Sequence, residues 1–350
     1  MNYYQKITAM PLKENPIIMG IETSCDETAV AIIKNGREIL ADEIISSATE
    51  HARFGGVVPE IASRSHTTAI LTATENALKS ANLTMDDIDA IAVTEGAGLL
   101  GALLVGVSFA KALAFSTGKP LVPVSHIRGH IAAAYLADKT LEPPFITILA
   151  SGGHTAILAV ESYETVKVLG STLDDAVGEA FDKVARVLGL SYPGGPNVEK
   201  MAKDGSNNIP LPKMLKNYDG GEFDFSYSGL KTAIINYVNN QKSRGVEINK
   251  ADVANSFQHA AIDVLIDKAM LACEKFGYKT VCVSGGVGAN GYLRQTLTDI
   301  TAKKQIKLVL PEKRYCTDNG AMIGAEGYIQ YMRRNFADLT LNASAVLPLK

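Results

Sequence analysis

The sequence predicts an α/β protein made of two similar halves. Apolar runs of strand length alternate with stretches of helical periodicity, and each half opens with two apolar runs joined by a polar turn. At 350 residues, 47% of them hydrophobic, the chain is long enough for two domains with separate cores. Alternating strands and helices predict partly parallel sheets, and ligands bind such sheets beyond the ends of their strands.

The first half begins with residues 17–33, IIMGIETSCDETAVAII, which predict a strand, a tight turn and a second strand. A third strand, a helix, a buried strand, a helix of small residues closed by Gly118, and a short strand follow in that order. These five elements are predicted over residues 37–47, 59–83, 88–96, 99–118 and 120–126.

The pattern restarts at residues 145–170, with strands around the glycine-rich turn SGGHT. Helical stretches then run to Leu190, and a polar, lysine-containing region covers about 198–250. The rest is predicted as a helix, then strand, glycine-rich turn and helix, then strand, loop and final helix. These three stretches are residues 252–276, 278–297 and 306–332.

The N-terminal residues, the longest apolar stretch and the net charge bear on the location of the protein and on its partners. Residues 1–16 have no apolar core, so we expect a disordered extension and not a secretory signal. The most apolar stretch, residues 97–110, is shorter than the roughly 20 residues of a membrane helix, so we expect a cytoplasmic protein. A net charge of −3 argues against a generally basic nucleic-acid binder.

Lysines and cysteines leave two functional alternatives open. Four lysines of the polar region either guide RNA phosphates or form a solvated face: Lys200, Lys203, Lys213 and Lys216. The four cysteines form no CxxC pair, as is usual for reduced thiols, and nothing in the sequence marks a base for Cys25 as a nucleophile.

His126 and His130 are four residues apart in SHIRGHIAAA, so a helix places them on one face. They are either metal ligands or a cap and a satisfied polar residue. Asp318, at the start of the last predicted helix, is either an N-cap or first-turn acid of that helix, or a third ligand. Two imidazoles and one carboxylate suit Fe²⁺ or Zn²⁺.

Three polar turns fall at predicted strand ends. ETSCDET carries Glu22, Asp26 and Glu27, which suit a Mg²⁺–phosphate site or a general base, or form a solvated turn. The glycines of SGGHT free backbone N–H groups to wrap an anion. In SGGVGAN, Asn290 either bonds a ribose or base edge or belongs to a compact turn.

Nine segments together resemble one family, the tRNA N6-adenosine threonylcarbamoyltransferase or TsaD family, in its bacterial form. In chain order they are GIETSCDETAVAI, GGVVPEIASRSH, VSHIRGHIAAA, LASGGHT, GEAFDKVARVLGL, YPGGP, FSYSGLKTA, SGGVGAN and CTDNGAMIG. The resemblance covers about residues 17–335. It departs at three loop positions, where the family usually has Pro, Val and Ala and this chain has Ala97, Ala150 and Gly288.

The resemblance implies an actin-like ATPase fold, that of sugar kinases and heat-shock chaperones, with two duplicated α/β lobes and a cleft between them. It implies a first lobe over residues 17–128 plus 318–338 and a second over 129–317, with a polar helical insertion at about 198–250. The implied activity is transfer of threonylcarbamoyl from threonylcarbamoyl-AMP to the adenosine 3′ to the anticodon of tRNAs reading ANN codons.

Carried over position by position, the resemblance implies three sets of site residues. The metal ligands are His126, His130 and Asp318, with Fe²⁺ favoured and Zn²⁺ as the alternative. The acidic pair of the first hairpin, assigned to proton relay, is Asp26 and Glu27. The substrate-binding residues are Leu149, Ala150, Ser151, Gly152, Gly153, Asp182, Gly195 and Asn290.

The implied partners are tRNA, a paralogous actin-like subunit of the TsaB type and a small P-loop ATPase of the TsaE type, with no membrane. The alternative functions are a small-molecule carbamoyltransferase and a kinase or ATPase of the same fold, since one fold hosts many functions. A zincin protease is disfavoured because Ile127 stands where that motif requires Glu.

Overall fold

The computed structural model describes residues 1–215 and 220–348, and Lys216 of the predicted lysine set lies outside them. Ten strands lie within the described residues. They are β1 (Ile17–Glu22), β2 (Glu27–Lys34), β3 (Glu38–Ser46), β4 (Ala90–Gly96), β5 (Leu121–Ser125), β6 (Phe145–Ala150), β7 (Thr155–Val160), β8 (Val166–Ser171), β9 (Thr280–Ser284) and β10 (Lys307–Val309).

Eleven α-helices lie within the same described ranges. They are α1 (Tyr3–Ala9), α2 (Ala48–Ala52), α3 (Pro59–Ala81), α4 (Leu100–Thr117), α5 (His126–Ala137), α6 (Val177–Leu188), α7 (Gly194–Ala202), α8 (Ser228–Ser243), α9 (Lys250–Phe276), α10 (Gly291–Lys304) and α11 (Gly320–Met332). The predicted order of strands and helices is confirmed, including the end of α4 at Gly118, which has φ +68°.

The chain divides into two compact units. Unit 1 contains Met1–Leu141 and Asp318–Lys350, and unit 2 contains Glu142–Thr317. The expected boundary at residue 128/129 differs from this division, because it would cut α5, whose buried residues pack within unit 1. The second stretch of unit 1 also extends past residue 338 to the end of the chain.

Each unit contains a five-stranded sheet of the same topology. The order in unit 1 is β3-β2-β1-β4-β5, and the order in unit 2 is β8-β7-β6-β9-β10. In both, the first three strands form an antiparallel meander, and the last two run parallel to the first strand of the unit. The predicted duplication is therefore present strand by strand.

Parallel pairing within unit 1 brings three strand ends to one edge of the sheet. β1, β4 and β5 run in the same direction, so their last residues, Glu22, Gly96 and Ser125, lie at the same edge. The polar turn between β1 and β2 and the first residue of α5 follow directly from this edge. Sheet geometry thus assembles chemistry from three separate parts of the sequence.

The last helix of the chain, α11, packs against the first strand. A Cβ atom on Gly20 of β1 would lie 2.3 Å from the backbone nitrogen of Gly324, so only glycine allows this approach. The helix also buries Met322 and Ile323 in a core shared with β1, β4 and β5. The C-terminal part of the chain is therefore an integral layer of unit 1.

The N-terminal residues differ from the expected disordered extension. Residues 3–9 form α1, whose N-cap Asn2 and Gln5 make a reciprocal capping box. Ile7 is fully buried, and the Tyr3 hydroxyl donates to the Lys119 carbonyl at 2.8 Å. Docking onto unit 1, which sequence periodicity does not reveal, orders this helix.

Among the described helices, α4 alone has the length and apolar composition that a membrane crossing requires. This is weak support for a membrane segment, since core helices meet the same criteria. One side of α4 packs in the core of unit 1 through Leu103, Val107 and Ala110.

Candidate metal centre and nucleotide-phosphate loop

The predicted histidines and the distant aspartate meet in unit 1. Nε2 of His130 lies 3.2 Å from Oδ1 of Asp318, and Nε2 of His126 lies 3.5 Å from the same oxygen. One ligand atom from each residue lies within 4.8 Å of the other two. This spacing allows one small cation to contact all three side chains.

Two helix starts place these ligands. β5 ends at Ser125, and His126 begins α5, so both histidines project from the first turns of that helix. The N-cap of α11 is Asn319, whose Oδ1 accepts from the Met322 amide at 2.8 Å. The N-cap alternative for Asp318 is therefore wrong, and its carboxylate lies with the histidines.

The donor set fits a metal. Both ring nitrogens of His130 are buried, and neither makes an aligned hydrogen bond to the described part of the chain. An unsatisfied buried nitrogen costs about 1–3 kcal/mol, a cost that ligation to a cation would remove. Two neutral imidazoles and a carboxylate leave further positions open for substrate, as catalytic metals require.

Glu22 is a member of this site whose role the sequence did not reveal. Its side chain is fully buried at the end of β1, where Oε2 accepts from Thr94 Oγ1 at 2.5 Å and lies 3.3 Å from His126 Nδ1. Ser24 Oγ also lies 3.1 Å from that nitrogen. Oxygen partners on Nδ1 leave Nε2 facing the ligand cluster, the usual arrangement around a metal-bound histidine.

The charges of His126 and Glu22 shift each other's pKa values. Burial alone would lower the pKa of His126, but the carboxylates of Asp318 and Glu22 raise it to about 9. Burial opposes the charged form of Glu22 as well, yet His126 lowers the pKa of that carboxyl overall. Without a cation, the two carboxylates favour the protonated form of His126, and a binding cation would displace that proton.

The acidic turn between β1 and β2 adds more carboxyl groups. Burial, reinforced by Asp26 and Asp318, raises the pKa of Glu27 to about 10. Burial also raises the pKa of the Cys25 thiol, with the same acids adding to the effect. A protonated thiol is a poor nucleophile, so these surroundings disfavour Cys25 in that role.

The predicted phosphate loop lies in unit 2, between β6 and β7. The Ser151 amide donates to the His154 carbonyl at 2.8 Å, which closes a tight turn around Gly152 and Gly153. A Cβ atom on either glycine would meet nothing within 4 Å, so the backbone is open on this side. The chain of this loop can approach an anion closely.

Neighbouring segments of unit 2 fix the base of the loop. Gly178, in the first turn of α6, donates its amide to the Ser151 carbonyl at 3.2 Å. Gly285, with φ +88°, lies so close to the Ala150 carbonyl that a Cβ there would be 2.4 Å away. The loops after β6 and β9 and the start of α6 therefore meet.

Asp182 and Asn290 occupy different positions in unit 2. Asp182, one turn after Gly178, accepts from the Gly194 amide at 2.7 Å, beside the open backbone of Gly195. Asn290 caps α10 through Oδ1 and donates from Nδ2 to Gln258 at 2.9 Å. Part of its hydrogen-bonding capacity is thus structural, which the compact-turn alternative anticipates.

Lys200, Lys203 and Lys213 are exposed. Exposure is compatible with both alternatives for these lysines, a route for RNA phosphates and a solvated face. Their function stays a prediction.

A family model for tRNA N6-adenosine threonylcarbamoyltransferase, TsaD, matches residues 38–325. The chain is also 49% identical over 339 residues to the tRNA N6-adenosine threonylcarbamoyltransferase of Clostridium botulinum, covering 97% of this chain and 99% of that protein. This chain belongs to the TsaD family. The family enzyme of Staphylococcus aureus is likewise 49% identical, over 95% of this chain and 97% of its own length.

Solved structures agree with the predicted fold. Full-length HypF in a phosphate- and nucleotide-bound form matches with a TM-score of 0.62 at 15% identity, over 94% of this chain and 57% of that one. Component A of (R)-2-hydroxyglutaryl-CoA dehydratase from Acidaminococcus fermentans matches with a TM-score of 0.53 at 16% identity, over 90% and 97%. This TsaD-family chain therefore has the actin-like ATPase fold.

Proposed function

We propose that this chain transfers a threonylcarbamoyl group from threonylcarbamoyl-AMP to N6 of the adenosine 3′ to the anticodon in tRNAs reading ANN codons. The observation that carries the proposal is the 49% identity, over nearly the full length of the chain, to enzymes named for threonylcarbamoyl transfer to tRNA N6-adenosine. The bond formed joins N6 to the carbamoyl carbon, and the bond broken joins that carbon to a phosphate oxygen. AMP leaves, and the amine loses one proton.

The acyl donor is held by unit 2 in this proposal. Leu149–Gly153 form the loop, in which the backbone amides of Gly152 and Gly153 bind the phosphate, since the Ser151 amide already donates to His154. Asp182, Gly195 and Asn290 contact the ribose and adenine side. Support comes from the open backbone at Gly152 and Gly153. Because the phosphate is already an activated leaving group, binding and orientation supply most of the catalysis.

A divalent cation is held by His126, His130 and Asp318 in this proposal, with Fe²⁺ favoured and Zn²⁺ as the alternative. When bound, it supplies Lewis acidity toward the donor. Ligation is supported by the buried ring nitrogens of His130, which make no aligned hydrogen bond within the described residues although Nε2 lies 3.2 Å from Asp318. Glu22 orients His126 by accepting from Nδ1–H.

Asp26 or Glu27 accepts the proton that the adenosine amine releases. The carboxyl group must be ionised to do so, and the raised pKa of Glu27 describes the chain without a cation nearby. A positive charge at the neighbouring ligands would favour the ionised form. The target base lies in a single-stranded loop, where it can be turned out toward such a group.

The partners are tRNA, an actin-like subunit of the TsaB type and a P-loop ATPase of the TsaE type, met in the cytoplasm. Exposed apolar side chains on adjacent helices support a protein partner. Leu71 of α3 and Leu104 and Phe115 of α4 are 57%, 39% and 63% exposed. Apolar side chains exposed on two helices that pack together are typical of an interaction surface.

The decisive experiment supplies purified protein with threonylcarbamoyl-AMP and unmodified tRNA, with and without candidate partners. Mass spectrometry of the digested nucleosides should show threonylcarbamoyl on adenosine, in amounts that depend on this chain. Release of phosphate from ATP without tRNA, and no modified nucleoside, would favour the kinase or ATPase alternative. Transfer to a small amine in place of tRNA would favour the small-molecule carbamoyltransferase.

The metal is tested separately by elemental analysis of protein purified without oxygen. Wild type should carry about one equivalent, and His130→Ala should lose most of it. His259→Ala, a histidine of unit 2, is the matched control and should keep the metal. Equal metal content in all three proteins would remove these ligands from the proposal.

A further inference from the structure

Three successive backbone carbonyls of the acidic turn are bound by other parts of unit 1. The Ser24 carbonyl accepts from the Leu99 amide at 2.8 Å. The Cys25 carbonyl lies 3.0 Å from His66 Nε2. The Asp26 carbonyl accepts from both the amide and the hydroxyl of Ser47, at 2.9 and 2.8 Å. A turn at a hairpin tip is ordinarily solvated, and this one is held from three sides.

Two buried histidines provide or support these contacts, and neither belongs to the metal cluster. His51 and His66 are both 0% exposed. Because a carbonyl only accepts, His66 must carry its hydrogen on Nε2 and donate it to Cys25. Its Nδ1 then accepts from the Thr28 hydroxyl at 2.8 Å. Both ring nitrogens of the neutral imidazole are satisfied.

His51 acts one step further back. Since the Ser47 hydroxyl donates to Asp26, the hydrogen between Ser47 Oγ and His51 Nε2, 3.1 Å apart, must come from the imidazole. Nδ1 of His51 accepts from the Val58 amide at 3.2 Å. Donor and acceptor are thus assigned in each hydrogen bond from the Val58 amide, at the start of α3, through His51 and Ser47 to the acidic turn.

We propose that His51 and His66 are positioning residues for the transfer reaction, which hold the backbone of the Ser24–Asp26 turn. The carboxyl groups of Asp26 and Glu27 then stay in the turn that contacts His126 through Ser24. This inference rests on the proposed function. His66 acts directly on the Cys25 carbonyl, and His51 acts through Ser47. The hydrogen bonds of both histidines described above go to residues other than the proposed metal ligands, so metal binding can be measured separately from the effect.

The test compares His66→Ala and His66→Gln with wild type in the threonylcarbamoyl transfer assay, with kcat, KM and metal content measured for each. Glutamine can place an N–H near the position of Nε2, whereas alanine removes the donor. We expect His66→Ala to lower kcat about 100-fold, the effect of a displacement near 1 Å. Metal content should stay within twofold, and His66→Gln should recover at least tenfold. His259→Gln, in unit 2, should match wild type.

A second pair of measurements keeps the inference testable if His66→Ala does not fold. In His66→Asn the shorter side chain can reach toward Thr28 but not to the Cys25 carbonyl. This variant should therefore be at least tenfold less active than His66→Gln. Hydrogen exchange of the amides at residues 23–28 should be faster in the asparagine variant, and Ser47→Ala should give the same local change.

The outcomes separate the two hypotheses. Wild type that modifies no tRNA, alone or with partners, overturns the proposed function and the positioning role with it. Active wild type with a His66→Ala kcat within threefold overturns only the positioning role. Equal activity of the glutamine and asparagine variants, or a loss of metal parallel to the loss of kcat, also overturns it.

Discussion

At the residue scale, the buried carboxylate of Glu22 is a partner of the site and not a ligand in it. It is fully buried and bonded to Thr94 and His126. Replacing it by Gln keeps the shape but removes the charge that raises the pKa of His126 and orients its ring. We expect Glu22→Gln to weaken binding of Zn²⁺ or Co²⁺ by 10- to 100-fold in a chelator competition assay.

The exposed Glu60 of α3 provides the matched control. Glu60→Gln should bind the metal as wild type does. If Glu22→Gln also binds as wild type, its contact with His126 does not support the metal site.

His66 gives the stability of unit 1 a pH dependence of defined sign. Burial lowers its pKa in the native state, whereas the unfolded chain takes up a proton near the ordinary value of about 6.5. The contribution of the neutral imidazole is therefore complete above that value and is lost as the pH falls below it, by at most about 1.4 kcal/mol per pH unit.

Urea denaturation at pH 7 and pH 5 tests this dependence. From pH 7 to pH 5, the unfolding free energy of wild type should fall by more than that of His66→Gln. The control variant His259→Gln should lose as much as wild type. Identical losses in all three proteins would show that His66 titrates alike in the native and unfolded states.

Sequence analysis predicted the residues of the metal cluster but not their surroundings. His126 and His130 were visible because four-residue spacing puts them on one helical face. Asp318 was one alternative from its place at the start of the last predicted helix, and the family resemblance implied it as the third ligand. The contacts of Glu22 with His126 and of His66 with Cys25 join residues 104 and 41 positions apart, and no local period marks such pairs.

At the element scale, the contact of β1 with α11 depends on a residue without a side chain. A Cβ on Gly20 would lie 2.3 Å from Gly324 N and 2.4 Å from the Gly320 carbonyl, and backbone atoms cannot move aside as a side chain can. We expect Gly20→Ala to lower the free energy of unfolding by about 3 kcal/mol, by overpacking.

Gly56→Ala is the comparison for this substitution, because a Cβ at Gly56 meets nothing within 4 Å. Its unfolding free energy should stay within about 0.5 kcal/mol of wild type. Chemical denaturation measures both variants, and equal stability would mean that helix and strand separate without cost.

Long elements were predictable and docked elements were not. The period of α3 and the glycine stop of α4 gave boundaries within about two residues. By contrast, α1 has seven residues and only Ile7 buried, so its order comes from unit 1 and not from its own pattern. Likewise α5 was divided between two predicted lobes because periodicity does not say which core a helix joins.

At the scale of the whole molecule, each proposed ligand should protect its own unit. The three proposed metal ligands belong to unit 1, and the proposed nucleotide-binding residues belong to unit 2. Zn²⁺ at 100 times its Kd should stabilise the native form by about 2.7 kcal/mol. Hydrogen exchange should then slow in β1, α5 and α11, whereas AMP should slow exchange in residues 149–153 and α6.

The His130→Ala variant controls for unspecific metal effects, since Zn²⁺ should leave its exchange unchanged. Equal slowing of both units by Zn²⁺ in wild type would contradict the assignment of the metal to unit 1.

The duplicated topology itself was predictable, because both halves repeat one order of strands and helices in the sequence. The return of α11 to unit 1 was expected from the family resemblance, which implied a first lobe that includes residues 318–338, and no local period in the sequence marks it.

That return has a consequence for biosynthesis. Unit 2 is an uninterrupted stretch, whereas unit 1 waits for α11 to cover its first strand, and the third ligand of the cluster is made 188 residues after the second. On the ribosome, the later-encoded unit can finish folding before the earlier one. A nascent chain stalled before residue 318 would contain both histidines but not Asp318. The complete cluster can therefore bind a cation only after almost the whole message has been translated.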